Sequence, residues 1–460
     1  MSGNVIVYRK RRNIELVGII FAILIGAGAT IITHLFRDGA LPKTIIYFCI
    51  AWAVICLGAH LSVRKFASFA DPAVLPIVLT LNGLGLAMIH RLDMSLSTSQ
   101  ALSQFIWTIA GIVLFSLVLA LLKDYRRLDG LSYVLFIAGM ILLLLPLVPF
   151  LASPMNVQNG SQIWISVAGY SFQPAELAKI VLAIAFASYL AEHRDLLTLA
   201  GPRIGKIQFP RMRDLVPVII MWAAALVVLV FENDLGTSLL FFGLFIMLLY
   251  VATNQLRWII ISLAMFIFAA IGAMQLAHVR TRISSWLDPF SDFDTNYQII
   301  QAQYGMAWGG LFGRGLGLGR PQQIPVASSD FISAAIGEEL GLAGLMALIL
   351  LYLLLVSRGM RSALIIQDDF GKLLAAGFSF VFGLQTFAII GGVTRLLPLT
   401  GLTTPFVSQG GSSLVCNWVI IGIIMVISHC ARRPKQPISV EPIADLEDEK
   451  TQLIKVASDE

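Results

Sequence analysis

Ionisable residues are scarce in this sequence, and several stand in pairs at the edges of long apolar blocks. In Phe172-Gln173-Pro174-Ala175-Glu176-Leu177-Ala178-Lys179, Pro174 suits the first turn of a helix, so Glu176 and Lys179 fall three apart on one face. A carboxylate and an ammonium at a membrane boundary are costly unless they pair or face water. Such a pair can offset charge on a ligand, or it can simply fix the helix. The turn Glu232-Asn233-Asp234-Leu235-Gly236-Thr237 adds two carboxylates, with Asp234 equally suited to cap the following helix.

The stretch 279–329 is richer. It opens with Arg280 and Arg282, continues through Asp288-Pro289, Asp292, Asp294 and Tyr297-Gln298, and ends in a glycine-rich run, 313–320, that carries Arg314 and Arg320. Carboxylates of this kind can take a proton, and arginines and glycine-freed amides can hold a phosphate. The run lacks a preceding strand and a phosphate-loop lysine, which argues against a nucleotide site. Asp330 and the adjacent pair Glu338-Glu339 follow inside or beside an apolar block, where simple lipid-facing packing does not account for them. Arg395, and Ser408 within Pro405 to Ser413, belong to a Pro- and Gly-rich segment that cannot be a plain helix and must line a cavity or be buried in protein.

The elements that position these groups follow from composition. The chain has 460 residues, of which 57% are hydrophobic and 13% charged, and its mean hydropathy is +0.83. No soluble core hides so much apolar surface, and the apolar blocks run to about twenty residues, the length of a membrane-crossing helix. The expected fold is an all-α polytopic membrane bundle of about twelve helices. The blocks lie near 14–35, 43–62, 72–90, 101–122, 131–150, 175–192, 214–231, 236–253, 257–278, 330–356, 370–392 and 410–430. With residues 1–13 cytoplasmic, the basic segments at Arg64-Lys65, Lys123 to Arg127, Arg194 to Arg213, Arg358 to Lys372 and Arg432 to Lys435 all fall inside, as the positive-inside rule requires. Residues 151–174, the turn near 232–236 and the long loop 279–329 then lie outside. The tail 433–460 is polar, acidic toward its end, and reads as a disordered cytoplasmic segment. The net charge of +5 belongs to these topology signals and not to nucleic-acid binding. Cys49, Cys56, Cys416 and Cys430 show no metal-ligand spacing and read as reduced packing residues.

At these motifs, in this order from about Pro72 to Arg432, the sequence resembles the SEDS family (shape, elongation, division and sporulation), of RodA/FtsW type. The resemblance implies a core of about ten helices over 71–432, preceded by two additional helices over 14–70. It also implies a peptidoglycan glycosyltransferase in the cell inner membrane that polymerises lipid II beside a class B penicillin-binding protein and other elongasome or divisome proteins. With Asp288-Pro289 and Tyr297-Gln298 as anchors, the family's external aspartate falls on Asp292; that alignment needs a one-residue gap, which leaves Asp288 and Asp294 as alternatives. Glu176 and Lys179 match the family's Gln-Pro-Ser-Glu segment, with Ala175 in place of serine. Ser328-Ser329-Asp330-Phe331 lacks the common histidine, and Gln409 replaces a tyrosine. The segment from Gly391 to Arg395 and the two additional helices are closer to actinobacterial RodA-type members.

On that reading Asp292 is the general base. Lys179, Arg282 and Arg395 offset charge on the departing diphosphate, with Glu176 orienting Lys179, and Asp234, Asp330, Glu338, Glu339 and Ser408 complete the substrate site. No nucleotide is required, since the diphosphate leaving group already carries the activation; a divalent cation, Mg or Mn, could accompany the diphosphate. A lipid II flippase and a non-catalytic scaffold of the wall-synthesis complex are the rival readings. A flippase would need charges on both sides and is expected to show an inverted repeat, which is not evident.

Overall fold

The computed structural model describes residues 9–153, 162–167, 169–194, 203–204, 207–208, scattered positions from 216 to 227, 234–275 and 277–434. Thirteen α-helices are numbered here: α1 Arg12–Asp38, α2 Lys43–Phe66, α3 Val74–Leu96, α4 Gln100–Leu121, α5 Ser132–Leu144, α6 Pro174–Glu192 and α7 Leu235–Thr253, followed by α8 Leu256–Ala273, α9 Ala277–Leu287, α10 Phe293–Gly309, α11 Ile332–Ile365, α12 Asp369–Val393 and α13 Gly411–Arg432. A short antiparallel hairpin, β1 Ile165–Val167 and β2 Tyr170–Phe172, leads directly into α6.

Among the described residues nine helices are long and apolar enough to cross a membrane: α1 to α4, α6, α7, α11, α12 and α13. Two shorter apolar helices begin at Ser132 and Leu256, where spans were expected at 131–150 and 257–278. The span expected at 214–231, Glu232 and Asn233, and all but the first two residues of the 433–460 tail lie outside the described residues. This is the all-α polytopic membrane architecture that the apolar blocks imply.

The stretch 279–329 is not the open loop its polarity suggests. It folds into α9, a 3-10 turn at Pro289–Ser291, and the 17-residue α10. Asn296, Ile299, Ile300, Ala302, Gly305 and Gly309 are buried, covering more than half the circumference of α10 and seating it against the bundle. α10 packs on α11.

The first two helices are joined tightly to the rest. α1 packs along α3, and at its start the buried Arg12 binds Glu15 and the Ala70 carbonyl. His60 of α2 completes this group at 2.8 Å from Glu15. Near the same end, Arg432 of α13 reaches Asp71 at 3.0 Å. A helix bearing a buried carboxylate can only sit where a cation answers it, so these pairs fix how α1, α2 and α13 meet.

The glycine-rich run 313–320 is clamped against α11. Gly313 lies against the backbone of Glu339 and Leu340, and α11 is broken at Gly341, whose φ of 69° and crowded Cβ position, 2.3 Å from the Gly313 nitrogen, admit no side chain. The Glu339 carboxylate accepts from Gly317 N at 3.0 Å and from Arg91 Nε at 2.8 Å, while Arg91 also donates to the Gly319 carbonyl at 2.8 Å. Glu338 accepts from Arg320 N at 2.6 Å.

The segment 394–410 between α12 and α13 is irregular and largely buried, with Thr404, Phe406, Val407 and Ser408 all inside. Side chains of spanning helices satisfy its backbone: Asn82 donates to Phe406 O at 3.3 Å, Gln104 to Ser408 O at 3.0 Å, and Tyr352 to Pro405 O. Gly85 of α3 makes the approach possible, since a Cβ there would stand 2.5 Å from the Val407 carbonyl.

The clamp has a direct consequence for stability. Arg91→Met leaves the buried Glu339 without its cation and is expected to cost about 3–5 kcal/mol, read as a lower thermal unfolding midpoint of the purified chain in detergent. An unchanged midpoint would show that the Arg91–Glu339 pair does not hold the run 313–320 in place.

Candidate functional site

Pro174 starts α6 immediately after the β1–β2 hairpin, so the first turn of α6 presents Glu176 and Lys179 on one face. Both are buried, and Lys179 Nζ stands 2.7 Å from Glu176 Oε2. A second neighbour is Gln385, fully buried in α12, whose Oε1 lies 3.5 Å from the same ammonium. The Gln385 amide in turn donates to Thr403 O at 2.7 Å, tying the pair to the irregular segment 394–410.

Asp234 caps α7, accepting from Thr237 N at 2.9 Å through one carboxylate oxygen. Its other oxygen, Oδ2, is buried and has no hydrogen-bond partner among the described residues. An open buried acceptor of this kind is rare enough to require an account. Burial pushes the Asp234 carboxyl above the usual carboxylate range, against the opposing pull of Thr237 and the Arg282 guanidinium. Burial likewise raises Asp330, opposed by Ser329 and again by Arg282. Arg282 is thus the cation shared by two carboxylates from distant parts of the chain. It is lowered by its own burial and raised by Asp234 and Asp330. Its Nη1 rests 3.3 Å from both Leu399 O and Thr400 O, so α9 is seated on the irregular segment.

Asp292 occupies a different setting. It is fully exposed and caps α10, with Oδ1 accepting from Thr295 N at 3.1 Å and Oδ2 from Thr295 Oγ1 at 2.6 Å. These bonds hold its carboxyl below the usual range, so it is ionised at neutral pH. Between the two settings lies a cleft of 160 Å³ whose walls include Arg282, Ser285 and Trp286 of α9, Thr295 and Gln298 of α10, and Leu399. Thr295, the partner of Asp292, and Arg282, which serves Asp234 and Asp330, therefore line one space. Asp288 is also exposed and caps the 3-10 turn through Phe290 N at 3.1 Å, while Asp294 is exposed in the first turn of α10.

A larger cavity of 420 Å³ lies beside Arg126, Asp129, Glu192 and Asp368. It adjoins the last turn of α6 and the start of α12, opposite to the ends that carry Lys179 and segment 394–410. Two of its carboxylates are already engaged, Asp368 by Tyr125 and by Arg126 at 3.1 Å, Asp129 by Ser188 at 2.8 Å. The smaller cleft is the chemical candidate.

Other residues singled out in the sequence have structural partners. Glu338 and Glu339 hold the glycine-rich run, as described. Ser408 Oγ accepts from Thr404 N at 2.8 Å and donates to Ser329 O at 2.6 Å. Arg395, in the left-handed region with φ of 61°, donates to Trp286 O at 2.9 Å and accepts the Trp286 indole at its carbonyl at 3.0 Å. It thereby fixes the tryptophan that lines the cleft. Gln385, Thr295 and Arg91 were not anticipated. An amide in the middle of the apolar block 370–392 and an arginine near the end of the block 72–90 are the signals that would have marked two of them.

The family model described as cell cycle protein, covering FtsW, RodA and SpoVE, matches residues 72–433. The chain is 44% identical over 443 residues to the peptidoglycan glycosyltransferase RodA of Mycobacterium tuberculosis, the match covering 94% of each. It is 32% identical to the probable peptidoglycan glycosyltransferase FtsW of Geobacter metallireducens, over 78% of this chain and 94% of that one. A solved chain of a peptidoglycan synthase complex that coordinates polymerization and crosslinking superposes with a TM-score of 0.64 at 24% identity, covering 79% of this chain and 99% of that one, a likeness of fold. By sequence and by architecture, the chain belongs to the FtsW, RodA and SpoVE family of cell cycle proteins.

Proposed function

We propose that this chain is a peptidoglycan glycosyltransferase that polymerises lipid II into glycan strands and releases undecaprenyl diphosphate. The observation that carries the reading is the cleft in which Arg282 and the Thr295 partner of Asp292 share the same walls. In the reaction, the acceptor's 4-hydroxyl attacks the anomeric carbon of the lipid-linked donor, the bond to the diphosphate breaks, and configuration inverts. Asp292, ionised and exposed, takes the hydroxyl proton. Arg282 and Lys179 offset negative charge on the leaving diphosphate, with Glu176 and Gln385 fixing the ammonium. The Oδ2 of Asp234 is an acceptor for a substrate hydroxyl; among the described residues no group of three or more His, Cys, Asp or Glu side chains is placed to hold a Mg or Mn ion beside it.

The basic residues Arg64, Lys65, Lys123, Arg126, Arg358 and Lys372 flank the ends of the bundle opposite to α9 and α10. By the positive-inside rule both termini are cytoplasmic and the cleft faces outward, where lipid II is polymerised. The greater identity to the RodA relative than to the FtsW relative supports a part in elongation. A class B penicillin-binding protein is the partner we propose, by analogy with the synthase complex of like fold.

Asp292→Asn, purified with its partner, is expected to lose about 10²–10⁴-fold in glycan polymerisation from lipid II; near-normal product length and rate would remove Asp292 from the chemistry. For the buried pair, Glu176→Gln leaves the ammonium without a counter-charge, with only amide oxygens to bind, and is expected to cost about 3–5 kcal/mol of stability. Combining it with Lys179→Met should recover most of the unfolding midpoint but none of the activity, and recovered polymerisation would mean the pair is structural only. Asp234→Asn keeps a good helix cap, so unaltered melting with reduced polymerisation is expected; full activity would leave the open oxygen without a role. All three are best assayed in liposomes carrying lipid II only on the face that α9 and α10 occupy, where a flippase or scaffold would yield no polymer.

A further inference from the structure

We infer that α10 is an interfacial helix that lies in the headgroup layer of the bilayer, its exposed aromatic face turned toward lipid. Phe293, Tyr297, Tyr304 and Trp308 are all exposed. Their offsets of four, eleven and fifteen residues place them within an arc of about 60° at 3.6 residues per turn; the buried Ile299, Ala302 and Gly309 lie on the other side of the helix, and the buried Asn296 and Ile300 border the arc. A solvated helix has no reason to gather four aromatic rings on its outer face. Phenylalanine, tyrosine and tryptophan together are the composition of a membrane–water boundary, where an apolar ring enters the acyl layer and the polar edge stays wet.

The occupant of this face is indicated by what it runs into. Just past α10, Gly310 O and Leu311 O accept from Leu342 N at 2.9 Å and Ala343 N at 3.0 Å, so the end of the aromatic stripe abuts the point where α11 resumes after its break. From there Leu342, Met346, Leu350 and Leu353 form the exposed apolar stripe of a helix long enough to span the membrane. Trp308 at 66% exposure, Leu311, and Phe312 at 83% close the gap between the two stripes, making one continuous apolar surface. At that junction the Arg314 guanidinium lies 4.7 Å from the centre of the Trp308 ring, a pairing suited to a lipid phosphate above and acyl chains below. Asp294 and Gln298 are exposed on the flank, away from the centre of the stripe.

The inference is independent of the catalytic reading and is tested by depth. In a chain with Cys49 and Cys430 replaced by serine, single cysteines at Phe293, Tyr297, Tyr304 and Trp308, and at Asp294 and Gln298 as controls, would carry nitroxide labels in nanodiscs. Oxygen should relax the stripe labels more than an aqueous nickel chelate does, most strongly at 304 and 308, with the order reversed at 294 and 298. Equal access of the chelate to all six positions would overturn the inference. So would stripe labels that are aqueous in the chain alone and become shielded only when a transpeptidase partner is added, since the face would then be a protein-docking surface. A conservative check uses Trp308→Phe: the fluorescence it removes should be quenched by lipids brominated close to the headgroup, and absence of quenching by any brominated lipid would equally reject the interfacial seat.

Discussion

A charge inside a hydrocarbon-facing bundle must be answered by another charge or by water, and this constraint organises the molecule. Lys179 is answered by Glu176 and Gln385, Glu339 by Arg91, Asp71 by Arg432, and Glu15 by Arg12 and His60. Apart from the two i,i+3 pairs, Lys179 with Glu176 and Arg12 with Glu15, each pairing joins elements distant in sequence. The pairs therefore act as registration marks: they state which helices are neighbours more specifically than the interchangeable leucines and isoleucines around them can. Arg282 departs from the pattern, having two carboxylates in its field and carbonyls as its direct neighbours. That partial satisfaction is what distinguishes a site from a brace.

Much of this was legible in the sequence because the bilayer imposes a coarse and reliable code. Blocks of about twenty apolar residues announced the spans, and Pro174 three residues ahead of Leu177 set Glu176 and Lys179 on one face. The break between α12 and α13 was announced by Pro398, Gly401 and Pro405. The stretch 279–329 was read less well. Its mean polarity resembles that of a solvated loop, and the helical face of α10 is built from Asn296, Ala302, Gly305 and Gly309 as much as from isoleucines, a pattern too weakly apolar to detect by hydropathy.

Pairings across the chain were the least visible. Glu338 and Glu339 drew attention because carboxylates are expensive in a spanning block, yet the sequence does not say that their partners are the amides of residues 317 and 320 and the side chain of Arg91. Ser408 and Arg395 were marked for the same reason of chemical type, and both hold backbone. A polar residue in a membrane segment signals an obligation to be satisfied; whether a ligand or a loop discharges it depends on three-dimensional proximity.

Asp292 differs from the paired acidic groups of the bundle in being tied to a helix end and not to a cation. Because its carboxylate is bound by the first turn of α10, it moves with that helix as one piece. The seventeen residues of α10 make an arm about 25 Å long, joined to α11 through the carbonyls of Gly310 and Leu311. A tilt of about 10° about that junction would swing the carboxylate by roughly 4 Å, the difference between touching a sugar hydroxyl and missing it. Whatever bears on the outer face of this lever gains leverage over the proton transfer without approaching the reacting atoms.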